Sequence, residues 1–81
     1  MDPRKPEPQE DVETSYLDAI RNFKRTFIRA RKAKKMGRER RKLLSMRQRI
    51  THLGELYSRT TRKAEREVRR TLRELDYDFC L

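Results

Sequence analysis

Residues 29–42, Arg-Ala-Arg-Lys-Ala-Lys-Lys-Met-Gly-Arg-Glu-Arg-Arg-Lys, hold nine Lys or Arg side chains and one acid, Glu39. Such groups stay protonated at neutral pH, so their chemistry is anion binding rather than proton transfer. A guanidinium fork meets two phosphate oxygens at once, and an ammonium acts as a point charge. Arg29, Arg31, Lys32, Lys34, Lys35, Arg38, Arg40, Arg41 and Lys42, with Arg47 and Arg49 beyond them, are therefore candidate nucleic-acid contacts. On a helix, Arg31, Lys34, Lys35, Arg38, Arg41 and Lys42 recur at spacings of three and four, along the side that the apolar stripe leaves open. The charge is also segregated along the chain. Residues 1–20 carry −4, residues 21–49 carry +13 and residues 50–81 carry +1, which accounts for the net +10. A block of one sign reads as a surface for a polyanion, and nucleic acid supplies phosphates in a regular line, with counterion release as the driving force.

Other chemistries lack their parts. One histidine, His52, one cysteine, Cys80, and no glycine-rich loop assemble neither a catalytic constellation nor a metal site, so no enzyme activity, cofactor or metal is expected. A single cysteine makes no internal disulfide, and Cys80 is not fourth from the C-terminus, the place that prenylation needs. No apolar stretch approaches the roughly 20 residues that span a bilayer, so no integral membrane contact is expected. The proline-bearing polar start has none of the build of a signal peptide.

Two further groups invite a functional reading. Tyr16, Phe23 and Phe27 could stack on bases. Their spacing puts them on one helical face, which favours packing against Leu43, Met46 and Ile50 instead. Leu72, Leu75, Phe79 and Leu81, in the C-terminal run Leu-Arg-Glu-Leu-Asp-Tyr-Asp-Phe-Cys-Leu, have the spacing of a leucine-rich nuclear export signal, in which a short amphipathic segment lies in a partner's groove.

The elements that must position these groups are helical throughout, and the expected class is all-α. Residues 1–11 contain all three prolines and are expected to form a disordered Pro-rich, acidic lead. Residues 12–81 form a single helical domain. Ser15 with Asp18 has the form of a capping box. Apolar positions then step by three or four through Val12, Tyr16, Ile20, Phe23, Phe27 and Ala30, giving a helix over about 13–36. Gly37 is the expected turn. A second stripe of Leu43, Met46, Ile50, Leu53, Tyr57, Ala64, Val68, Leu72 and Leu75 gives one long, coiled-coil-like helix over about 38–76. It passes through Gly54 without a break, and 77–81 form a frayed tail. In this helical hairpin of two amphipathic helices, the second half of the longer helix has no internal partner. Leu53, Tyr57, Val68, Leu72 and Leu75 are accordingly expected to build a homo-oligomer.

A short amphipathic helix carrying Tyr-Leu-Asp-Ala-Ile-Arg-Asn-Phe-Lys-Arg-Thr-Phe (16–27) precedes an arginine-rich segment, Arg38 to Tyr57, and a leucine-bearing tail. In layout this resembles the lentiviral Rev type of RNA-export regulator over about half the chain. It lacks that family's uninterrupted arginine run, and Lys35-Met36-Gly37 stands in place of the proline-rich turn. The resemblance implies a viral accessory protein.

The combined expectation is a small basic helical RNA-binding regulator that acts as an oligomer in the nucleus or nucleolus. It would serve silencing suppression or RNA export, shuttle to the cytoplasm and use host nuclear transport proteins as partners. RNA is favoured over DNA because arginine-rich helices read folded RNA by shape and backbone. The alternatives are DNA binding, a coiled-coil adaptor whose basic block is a nuclear or nucleolar targeting signal, and a membrane-surface helix over 16–36 with Phe23, Phe27 and Ile28 on its apolar side.

Overall fold

The computed structural model describes residues 8–79, with the backbone alone for 8–11. It is all-helical: α1 (Pro8–Lys32), α2 (Met36–Ser58) and α3 (Arg62–Asp78). The helix expected from about residue 13 already includes 8–11, which the sequence assigns to the lead; residues 1–7 of that lead lie outside the described residues. A proline is tolerated in the first turn of a helix, whose N–H groups lack intrahelical partners in any case. Ser15 is thus interior to α1 and caps nothing.

The first turn falls at residues 33–35, not at Gly37. Lys34 adopts the left-handed conformation at φ 57°, and Gly37 does not. The Lys35 N–H donates to the Ala30 carbonyl at 2.8 Å, and the Lys34 N–H donates to that of Arg31 at 3.2 Å. This pair of bonds is a Schellman closure with Lys34 as its left-handed residue. A turn here puts Met36 in the first turn of α2, where it packs against the core; a turn at Gly37 would leave Met36 at the end of α1. A side chain in this region costs about 1–2 kcal/mol that glycine avoids. Lys34→Gly is therefore expected to raise stability by about 1 kcal/mol and the thermal midpoint by about 4–8 °C, as followed by circular dichroism.

The second turn corrects the expected long helix. The break falls at residues 59–61, where Thr61 is the N-cap of α3 and its Oγ1 accepts from the Ala64 N–H at 2.9 Å. Before the break, the Ser58 hydroxyl donates back to the Glu55 carbonyl at 2.8 Å. Gly54 lies inside α2, buried, and holds the two outer helices close. A Cβ at this site would come within 3.0 Å of Val68 Cγ1 on α3 and 3.2 Å of Tyr16 Cε1 on α1. The roughly 1 kcal/mol that glycine costs a helix interior is thus offset by tighter packing.

With α3 turned back, α2 packs against both α1 and α3. Tyr16, Ala19, Phe23, Phe27, Leu43, Ile50, Val68 and Leu75 form the buried cluster. The expected packing of Tyr16, Phe23 and Phe27 against Leu43, Met46 and Ile50 is present. Just beyond α3, Phe79 meets Phe27 edge-on at 4.8 Å and Phe23 at 5.7 Å. Arg47 of α2 pairs with Asp76 of α3 at 2.6 Å. The fold is flat, 47 × 31 × 16 Å.

One buried group is poorly served. The Tyr16 hydroxyl is sealed without a hydrogen bond of good geometry, although the Thr71 side chain is close enough to act on its ionisation. Burial pushes the Tyr16 pKa above 10.0; Thr71 and Arg47 act the other way, and Glu67 adds to the rise. The folded state therefore holds this proton more tightly than the unfolded chain does. Its contribution to stability is complete below pH 10 and is lost as pH climbs through the raised value. Tyr16→Phe removes an unsatisfied polar group and is expected to stabilise the fold by about 1 kcal/mol at pH 7. In urea titrations it should also lose less stability above pH 10 than the parent chain.

Candidate nucleic-acid interface

The basic block is divided by the turn at 33–35 into the last turn of α1 and the first turns of α2. Both flanks are helical because their other sides are anchored: Phe27 and Ala30 are buried on α1, and Leu43 on α2. What remains outward is charge. Arg29, Arg31, Lys32, Lys34, Lys35, Arg38, Arg40, Arg41, Lys42 and Arg49 are all exposed. The two helix ends act on the field in opposite senses. Arg29, Arg31 and Lys32 sit in the last turn of α1, where cations are favoured. The N-terminus of α2 has no side-chain cap from Lys35, so its positive end adds to the block. Glu39, in that first turn, is the local counterweight.

Two surfaces result. Along α2, Arg38, Arg41, Lys42, Ser45 and Arg49 rim a shallow hollow, with Met46 and the one acid Glu39 also lining it. From Arg38 to Arg49 the helix rises about 16 Å, so the row runs for three turns. Between the ends of α1 and α2 lies a cleft of about 350 Å³, lined by Thr26, Arg29, Ala30, Ala33, Lys35, Glu39 and Lys42. The first surface is open and offers donors in a line, which suits a phosphate backbone rather than a small enclosed ligand.

One of the expected contacts is engaged elsewhere. Arg47 is half-buried; it donates to Thr51 Oγ1 at 2.5 Å and to Asp76 at 2.6 Å, tying α2 to α3. Its place is structural.

The expected oligomer stripe is also covered within the chain. Val68 and Leu75 are buried, and Leu53, Tyr57 and Leu72 pack against the core. The turn at 59–61 gives the second half of the stripe the internal partner that a continuous helix would lack, while Leu53, Tyr57 and Leu72 stay partly exposed. The export reading meets the same obstacle. Leu72, Leu75 and Phe79 face the core and would have to leave it to enter a partner's groove; Leu81 lies outside the described residues. The membrane-surface reading loses its apolar side, since Phe23 and Phe27 are buried and Ile28 alone of that trio is exposed. Among the described residues no helix is long and apolar enough to cross a membrane, and no cluster of His, Cys, Asp and Glu could hold a metal ion.

The charge count along the sequence conceals one feature. Residues 50–81 sum to +1, but on α3 the signs separate by face, and Arg66, Arg69, Arg70 and Arg73 line a shallow groove. Placing each residue about 100° from the last around a helix starting after Thr61 would have disclosed it.

Comparison with family models, with curated proteins and with solved structures finds no match to this chain.

Proposed function

We propose that this chain is a small helical RNA-binding protein that grips phosphates with the basic tip of the α1–α2 hairpin and the exposed row on α2. One observation supports this most strongly: ten of the eleven basic residues singled out in the sequence are exposed, and Arg38, Arg41, Lys42 and Arg49 fall along one open surface. Leaving such a row to water alone sets like charges side by side at i, i+3 and i+4, each pair costing a few tenths of a kcal/mol. A phosphate strand offsets that repulsion and releases its own counterions. Duplex or folded RNA is preferred to DNA because the row offers backbone contacts and recognition by shape rather than a base-reading set. The same block fits nuclear or nucleolar targeting.

The test is a binding assay with duplex RNA, duplex DNA and heparin in parallel over a salt series. With six or more phosphates engaged, affinity for duplex RNA should fall by about a thousandfold between 50 and 200 mM salt, with duplex DNA held more weakly throughout. A fall of less than about tenfold rules out multiple phosphate contacts. Equal affinity for heparin and both duplexes reduces the recognition to bare charge.

A further inference from the structure

α3 is divided into an apolar face, two acidic flanks and an arginine ridge. Ala64, Val68 and Leu75 are buried against α2 and the core. Taking Val68 as the inward direction, Arg66, Arg70, Arg73 and Tyr77 lie about 140–200° away, on the side facing solvent. They follow one another at steps of four, three and four, so they form one line about 16 Å long. The acids keep to the flanks: Glu65 pairs with Arg69 at 3.4 Å, and Asp76 is turned toward Arg47. Among the described residues none of Arg66, Arg70 and Arg73 has a carboxylate within ion-pair distance. Tyr77 is 88% exposed, the most open large apolar side chain among the described residues, and it stands one turn beyond Arg73.

We propose that this ridge is a second nucleic-acid contact that takes a single-stranded RNA segment, with Arg66, Arg70 and Arg73 on successive phosphates and Tyr77 stacked on an unpaired base. Two features select this ligand. Three unpaired arginines in a row match the backbone of a strand. An aromatic ring at the end of that row, with no packing duty, offers a face that only an unstacked base can use, because bases in a duplex are already stacked. The ridge lies on a different helix from the α2 row, so one RNA with a duplex and an overhang could engage both. The proposal extends the RNA-binding reading and shares with it only the choice of polymer.

The experiment measures affinity for a blunt RNA duplex, the same duplex with a single-stranded overhang, and a single-stranded oligonucleotide. The parent chain is compared with the triple variant R66Q/R70Q/R73Q, with Tyr77→Ala, with Tyr77→Phe and with R38Q/R41Q/K42Q/R49Q. All these positions are exposed, and circular dichroism checks that helix content is retained. The overhang should raise the affinity of the parent chain. The α3 triple variant should bind the single strand about a hundredfold more weakly at 100 mM salt, from three lost phosphate contacts. Tyr77→Ala should lose about tenfold on the single strand and Tyr77→Phe little, because the ring does the stacking. Blunt duplex binding should change by less than about threefold in all three α3 variants. The α2 variant should show the reverse pattern, losing the duplex and keeping the single strand. If the overhang adds nothing, or if Tyr77→Ala and the triple variant bind the single strand like the parent chain, the ridge is a solvated helix face and the proposal fails while the duplex reading stands. If the parent chain binds the single strand but not the duplex, the α2 reading fails and the ridge remains. Binding to neither overturns both.

Discussion

Replacing Arg38, Arg41, Lys42 and Arg49 together by glutamine is expected to weaken duplex RNA binding by about three orders of magnitude at 100 mM salt. The size follows from counterion release. Each phosphate neutralised contributes about 0.9 to the slope of log affinity against log salt, so four lost contacts take roughly 3.6 from that slope. At a tenth of molar salt this corresponds to about 10³ to 10⁴ in affinity. The four side chains are exposed and project from one surface of α2, and the apolar residues beneath them are untouched. Helix content should therefore be unchanged and the thermal midpoint the same or slightly higher, since like-charge repulsion is relieved. Arg47 is the internal control. Arg47→Gln removes the link to Asp76 and should cost about 1 kcal/mol of stability or less, with little change in salt slope. A row that binds by charge must lose slope and affinity together. If the quadruple variant keeps the parent slope, the contacts lie elsewhere on the chain.

Phe23→Ala should abolish the fold at 37 °C. Phe23 is fully buried and is gripped from two sides, by Phe27 at 6.2 Å between ring centres and by Phe79 at 5.7 Å. Truncating a buried phenylalanine costs about 3–5 kcal/mol, through lost transfer energy and the cavity left behind. A single core in a chain of this size seldom supplies more than about 3–5 kcal/mol in all. The variant should show little helix by circular dichroism at 37 °C, where the parent chain melts cooperatively. Phe79→Ala provides a graded comparison. Its side chain is only half-buried, so it should lower the midpoint and leave a folded population at 25 °C. Equal losses in the two variants would mean that the whole aromatic cluster closes or opens as one unit.

The first half of the fold is legible in the residue pattern. Tyr16, Ile20, Phe23, Phe27 and Ala30 step at helical intervals, and all of them are buried or packed against the core. The exposure of the basic block follows from the same stripe, because the face opposite buried residues has nowhere to go but solvent. The turns are less legible. Glycine's tolerance of positive φ marks Gly37, but that tolerance is a permission and not a demand. The hydrogen bonds that close α1 place the left-handed residue at Lys34, and the reward is Met36 against the core. The break at 59–61 shows faintly in the sequence: Thr60 is a polar slot in an apolar stripe, and Thr61 is a good N-cap just before Ala64. Heptad spacing hides that break, since a stripe that continues in one straight helix and a stripe that folds back have the same period. The consequence for the site is large. Folding back buries Val68 and Leu75, packs Leu53, Tyr57 and Leu72 partly against the core, and turns Arg66, Arg70 and Arg73 of α3 outward together.

The order in which the helices touch has a kinetic consequence. α1 packs on α2 and α2 on α3, each on its neighbour along the chain, through links of only a few residues. Little loop entropy has to be surrendered before these contacts form, which places the refolding of such a chain on a microsecond-to-millisecond timescale. The contacts between α1 and the far end of the chain are the exception: Tyr16 beside Thr71 of α3, and Phe79 on Phe23 and Phe27. These long-range contacts carry the largest loop-closure cost in the chain, so the ring closure at Phe79 is a hasp on an otherwise self-assembling hinge.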